Sequence, residues 1–220
     1  DQLLGARCVR SATCGHCWSP VGPSPAWNFR RLAEGGDTET ALHEMSLGMM
    51  AAGLTAGAWG VPFMPVPGLA GTGFLTEDWS NGMLAQAQSP WGACNVVAAI
   101  TPDVAFIHVD RCDERGNGWI PGPLGEVSLA AAAAAEVVLV AEEMVDTETL
   151  RAGGITIPGV RTAAVIPSPG AVSPDGAIGR YDRDVAAYEE YARVSSTEAG
   201  FNGWLAEVRR PQQTGGGGLE

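Results

Sequence analysis

Val104-Ala105-Phe106-Ile107-His108-Val109, then Ser128-Leu129-Ala130-Ala131-Ala132-Ala133-Ala134-Ala135, then Val137-Val138-Leu139-Val140-Ala141 is the stretch that decides the fold. The first and last pieces are short apolar runs rich in β-branched residues, which read as buried strands. The middle piece reads as a helix, because alanine carries almost no helix penalty. Short buried strands alternating with helices specify an α/β fold built on a mainly parallel sheet flanked by helices.

The pattern extends both ways. Upstream, Asn95–Ile100 is a second strand-like run, set off by the turn Thr101-Pro102-Asp103. From Glu44 to Trp59 the residues Met45, Met49, Leu54 and Ala58 recur at roughly helical spacing, and Gly60 ends the pattern. Three prolines within Val61–Gly73 forbid an interior strand or helix there. Nearer the start, Ala6–Ala12 shows β-type alternation. A helix runs from Ser24-Pro25 to Ala33 with proline in its first turn, and Thr38–Leu42 reads as a strand. Downstream, Asp113–Gly118 is a turn and Thr147–Arg151 a short helix. Val160–Ile166 is a last strand, and Asp184–Val194 and Glu198–Val208 are amphipathic helices. Residues 1–208 read as one domain and 209–220, with four consecutive glycines, as a flexible tail.

Composition excludes several classes of partner. The 220 residues carry a net charge of -12, with 13 arginines, no lysine and 25 acids. Nucleic acids and anionic membrane surfaces need clustered cations, so neither is expected. The longest apolar run, Ser128–Ala141, is broken by Glu136 and falls short of the ~18–20 residues of a membrane span. Five cysteines are an odd count in a long chain, which argues against a disulfide framework and for the cytoplasm. The chain opens without an initiator methionine or a secretory leader, which fits a trimmed or partial form.

Several strings carry possible chemistry, each beside a plainer reading. Cys14-Gly15-His16-Cys17 has redox or metal spacing, but Pro20 and Pro23 break any helix starting there, so a structural loop is the plainer reading. Gly68, Gly71 and Gly73 form a close-approach loop whose backbone N–H groups suit an anion or acyl oxygen, or form simply a tight turn. With no lysine to follow them, it is not a Walker loop. Glu44 sits where a strand gives way to a helix. There it is a nucleophile or general base if buried, or a helix-start acid favoured by the macrodipole. Glu142-Glu143 end a buried strand, where carboxylates either line a ligand crevice or meet solvent. No serine lies in a G-x-S-x-G string, so a hydrolase triad has no support. Tyr181–Asp184 opens a helix and reads as its cap and dock.

Taken in order, these strings resemble the α-subunit of family I CoA-transferases, of the type found in glutaconate CoA-transferase. The resemblance is carried by Leu4–Arg10, Gly22–Ala26, His43-Glu44-Met45-Ser46, Gly60–Pro65 with Gly68–Thr72, Pro102–His108, Asp113–Asn117, Val140–Val145, Pro167–Ala171 and Tyr181–Asp184. It spans about residues 2 to 208. It implies a NagB/RpiA/CoA-transferase-like fold, a β-subunit partner of the same fold, and transfer of coenzyme A between carboxylates through a glutamyl-CoA thioester. Acyl-CoA and a carboxylate are then substrates, and no further cofactor or metal is expected. By the same resemblance the nucleophilic glutamate belongs to the partner, and Glu44 lines the shared pocket with Gly68, Gly71, Thr72 and Asn117. In a related branch of ring-cleaving hydrolases acting on CoA thioesters, an α-subunit glutamate matters, and Glu44 is its nearest counterpart. A non-catalytic scaffold with a Cys14/Cys17 site is the remaining alternative. The family's N-terminal segment of roughly 50–60 residues with a Gly-rich turn has no counterpart here, which suggests a sheet lacking its first strands and an unpaired edge.

Overall fold

A computed structural model describes residues 1–35, 39–69, 72–75 and 80–210. In chain order the first elements are α1 (Gln2–Gly5), β1 (Ser11–Cys14), α2 (Trp27–Ala33), β2 (Ala41–Glu44), α3 (Leu47–Trp59) and β3 (Phe63–Val66). Then come β4 (Leu84–Ser89), β5 (Gly92–Ala98), β6 (Val104–Cys112), β7 (Gly118–Trp119), α4 (Val127–Ala133) and β8 (Glu136–Met144). The chain closes with α5 (Thr147–Gly153), β9 (Thr162–Pro167), α6 (Val185–Ser195) and α7 (Glu198–Val208). The span 1–208 divides into two compact units. One gathers Asp1–Ala12, Cys17–Leu42 and the chain from Val185 onward; the other gathers Thr13–His16 and His43–Asp184.

The first unit is helical. Phe201 of α7 is buried and meets Tyr191 of α6 edge-on, with ring centroids 6.5 Å apart. Asp1 ties the unit's ends together. Its Oδ2 accepts from Tyr191 at 2.7 Å and from Asn28 at 3.0 Å, and its Oδ1 accepts from the Phe29 N–H at 2.8 Å.

The second unit holds two sheets. A four-stranded sheet has the order β7-β6-β8-β9, with β6, β8 and β9 parallel. This is the parallel sheet expected from Val104–Ala141. Alternate residues Ala105, Ile107 and Val109 of β6 and Val137, Leu139 and Ala141 of β8 form its buried core with Ala131 and Ala134. The other face of β6 and β8 therefore carries Val104, Phe106, His108, Asp110, Val138, Val140 and Glu142, by the two-residue period of strands.

The second sheet is antiparallel, in the order β3-β5-β4. Its β3 contains Pro65 and lies at the sheet edge, the one place where the missing N–H costs no ladder bond. Strand β4 escapes the pattern search because alternate positions hold only Ala85 and Ala87, which give a weak apolar signal. Helix α3 ends at Gly60 in the left-handed conformation, as the spacing predicts, but begins at the Ser46 cap rather than at Glu44, which still belongs to β2. A Cβ on its Gly57 would fall 2.1 Å from the Ile100 oxygen, so the glycine lets the helix lie against the end of the antiparallel sheet.

Three local expectations change. Where Ala6–Ala12 predicts a strand, α1 has just ended at Gly5, the chain turns through Arg7 at φ 54°, and a strand starts only at Ser11. Where Thr38–Leu42 predicts a strand, β2 covers Ala41–Glu44, and Thr38 lies outside the described residues. Where Val160–Ile166 predicts one strand, a 3-10 turn over Gly159–Arg161 precedes β9. Of the tail 209–220, residues 211–220 also lie outside the described residues.

Candidate active site

Glu44 is the last residue of β2 and is exposed. The next residue, Met45, is fully buried, and Ser46 then caps α3 by accepting the Met49 N–H at 3.2 Å. This places the carboxylate on a tight strand-to-helix corner. Gly15 packs against that corner: a Cβ there would lie 2.5 Å from the Met45 oxygen and 3.0 Å from the Leu47 nitrogen. That contact gives Gly15 a packing reason of its own, independent of any chemistry at the neighbouring cysteines. The metal reading of the string finds no cluster of three ligands among the described residues. Cys112, one candidate ligand, is buried, and burial with the adjacent Asp113 charge pushes its thiol up to about 11.

Leu69 is buried in the same apolar cluster as Met45, together with Met49, Val66 and Val97. Glu44 and Gly68 are each one residue from a member of that cluster. Gly68 has φ 77°, a left-handed backbone that favours glycine. Thr72 folds back on the loop, its hydroxyl donating to the Leu69 oxygen at 2.7 Å. Gly71 lies outside the described residues.

Asn117 has a local task. Its backbone and side-chain N–H groups both donate to fully buried Asp113, each at 2.9 Å, and its Oδ1 accepts from the Gly159 N–H at 2.9 Å. Burial pushes the Asp113 carboxyl up, but these donors outweigh it and hold the pKa below the usual value.

A second carboxylate site, open to two readings in the sequence, proves to be buried. The parallel register pairs Val109 with Ala141 and Arg111 with Glu143, so Asp110 and Glu142 end up side by side near the strands' carboxyl ends. Open α/β sheets bind ligands at such ends. The Glu142 side chain is 2% exposed. Its Oε1 accepts from the Tyr181 hydroxyl at 2.6 Å and meets His108 Nε2 at 2.9 Å, and its Oε2 accepts from the Gly170 N–H at 2.7 Å. Burial opposes the charge, yet these three donors hold the carboxyl at about 2. Tyr181 is therefore not the helix dock expected of it; α6 begins at Val185, and the phenol reaches back to the sheet.

Beside Glu142, the Arg180 guanidinium clamps the Asp110 carboxylate and carbonyl and reaches Glu143 Oε2 at 2.8 Å. A cleft of about 210 Å³ opens here, lined by His108, Asp110, Ile120, Val172 and Ile178 among others. The sequence signal for this site is a pair of acids at the end of a buried strand. Its partners, 28 to 39 residues away, carry no local signature.

Among the described residues no helix is long and apolar enough to cross a membrane. The chain is similar to the A subunit of 3-oxoadipate CoA-transferase from Pseudomonas knackmussii, 29% identical over 211 residues, covering 96% of this chain and 74% of that protein. It is similar to the cholesterol ring-cleaving hydrolase IpdA subunit of Mycobacterium tuberculosis, 28% identical over 172 residues, covering 72% of this chain and 58% of that protein. Its fold matches the crystal structure of glutaconate coenzyme A-transferase from Acidaminococcus fermentans with a TM-score of 0.84 at 24% identity, over 94% of this chain and 70% of that one. The Coenzyme A transferase family model matches residues 1–169, and the chain belongs to that family.

Proposed function

We propose that this chain is the α-subunit of a heteromeric CoA-transferase, moving coenzyme A between carboxylic acids through a glutamyl-CoA thioester on a β-subunit of the same fold. The observation that carries it is the family match over residues 1–169, joined by the 3-oxoadipate CoA-transferase relative that aligns with nearly the whole chain. A partner glutamate attacks the acyl-CoA carbonyl, and backbone N–H groups hold the oxyanion. The exposed Glu44 corner and the Gly68–Thr72 loop are this chain's contribution to the acyl and CoA pocket, with Gly71 inside that loop. Asn117 supports the reading less, because its amide is committed to Asp113 and Gly159. Substrate phosphates find no lysine here and are met by backbone amides, arginines and the partner. The cytoplasm is the compartment this reading expects, in keeping with the odd cysteine count of the sequence.

The test is to copurify the chain with its β-subunit, add acyl-CoA, and map the CoA adduct by peptide mass spectrometry. A CoA-modified glutamate on the partner, and none on this chain, supports the reading; an adduct on Glu44 overturns the division of labour.

A second reading, hydrolysis or C–C cleavage of a CoA thioester, is favoured by the similarity to the ring-cleaving IpdA subunit. In that case Glu44 acts directly in the chemistry, and Glu44→Gln abolishes turnover; thioester hydrolysis releases free CoA, whereas C–C cleavage adds water across a carbon–carbon bond and leaves the thioester intact.

A further inference from the structure

A pocket of about 350 Å³ lies in the helical unit, and every residue lining it belongs to that unit. The proposed transfer gives it no role. Leu3, Trp18, Tyr188, Tyr191 and Ala192 make its walls mostly apolar and aromatic. Small-molecule sites have volumes and linings of this kind. An apolar cavity of about 150 Å³ holds one benzene ring, so this pocket has room for two fused rings. Two of its polar groups are committed. The Asp1 carboxylate takes the Tyr191 hydroxyl, the Asn28 amide and the Phe29 N–H, and the Ser19 hydroxyl donates to the Val21 oxygen at 3.0 Å. Ser195 differs. It ends α6, is 1% exposed and lines the pocket, and its hydroxyl has no hydrogen-bond partner among the described residues. A buried hydroxyl left without a partner is costly and rare. A single torsion sets its direction, so a ligand group at that wall can take it.

Charge narrows the class further. Three donors converge on Asp1, the pattern of an ionised carboxylate, so an anion in the pocket would meet like charge. Arg31 commits its donors to the Ser195 and Ser196 carbonyls and the Asn28 amide oxygen. We infer that this pocket binds a neutral ligand of two fused aromatic rings carrying one hydroxyl, a naphthol-like molecule. Its rings lie against Trp18, Tyr188 and Tyr191, in the offset-stacked or edge-on contacts that aromatic groups prefer. Its hydroxyl bonds to Ser195.

The probe is 2-naphthol, and the reporter is the free Cys17 thiol, which lines the pocket. The full chain is treated with N-ethylmaleimide over a range of 2-naphthol concentrations, and labelling of each cysteine is read by peptide mass spectrometry. Cys8 is exposed and does not line the pocket, so it serves as the control. The expected result is saturable protection of Cys17 by 2-naphthol, with Cys8 labelled at an unchanged rate. Trp18 is 50% exposed, so Trp18→Ala keeps the fold and raises the protection midpoint about tenfold. Ser195→Ala removes a hydroxyl that has no partner, so stability is kept. It raises the midpoint for 2-naphthol about fivefold and leaves that for naphthalene, which lacks the hydroxyl, unchanged. The anion 2-naphthoate protects about tenfold more weakly than 2-naphthol. The proposal is overturned by no protection of Cys17, by equal protection of Cys8, or by a Trp18→Ala midpoint like that of wild type. It is equally overturned if the Ser195→Ala change is absent for 2-naphthol or shared by naphthalene, or if 2-naphthoate protects as well.

Discussion

Replacing Glu142 by glutamine removes one charge from a buried carboxylate with three hydrogen-bond partners. Its two oxygens accept from the Tyr181 hydroxyl, the Gly170 N–H and His108 Nε2. Glutamine can keep its oxygen toward the Gly170 N–H, but its NH2 then faces Tyr181 and His108, so both charge-assisted bonds are lost and each partner must turn to accept. The pKa sets the magnitude. A carboxyl held from 4.5 down to about 2 corresponds to about 3 kcal/mol of stability at neutral pH, at ~1.4 kcal/mol per pH unit. Because the folded value lies below the unfolded one, this contribution is full above about pH 4.5 and is lost as pH falls toward about 2. Glu142→Gln has no such group to protonate. The wild type should therefore exceed the variant by about 3 kcal/mol at pH 7, and the gap should close between about pH 5 and pH 2. Urea titration read by hydrogen exchange of peptides spanning Val104–Cys112 measures the gap in the unit that contains the site. A variant within ~0.5 kcal/mol of wild type at pH 7, or a gap that stays constant on acidification, would refute the reasoning.

Gly15→Ala puts a methyl group 2.5 Å from the Met45 oxygen and should cost about 1–3 kcal/mol in chemical denaturation; an unchanged midpoint would show that the turn gives way freely. Asn117→Ala strips a donor from buried Asp113 and an acceptor from Gly159, so it should lower stability by about 1–3 kcal/mol. If it instead raises KM with stability intact, Asn117 serves the substrate. Glu44→Gln changes an exposed residue and should leave the melting transition within about 0.5 kcal/mol of wild type, while turnover of the two-subunit enzyme falls. Equal activity of that variant would remove Glu44 from the pocket.

Much of this chain is legible one residue type at a time. Gly60 ends α3 as read because a left-handed glycine is a local requirement. The runs Val104–Val109 and Val137–Ala141 announce parallel strands because both faces of such strands are apolar for most of their length. The family is legible from the order of many short strings. Other features depend on distant partners. Glu142 reads as an ordinary strand end until Gly170 and Tyr181 fold over it. The helical unit is invisible as a unit because it is assembled from three separate pieces of chain. Asn117 looks available for substrate until Asp113 and Gly159 are seen to occupy its amide.

The central claim is that this chain helps move coenzyme A from one carboxylate to another. The direct measurement pairs the chain with its β-subunit, an unlabelled acyl-CoA and a deuterated free acid, and follows the thioester pool by mass spectrometry. The account predicts deuterated acyl-CoA appearing as the unlabelled acyl-CoA disappears, with no free thiol released. Stoichiometric release of free CoA, with no label entering the thioester pool, would contradict it and establish the hydrolytic reading.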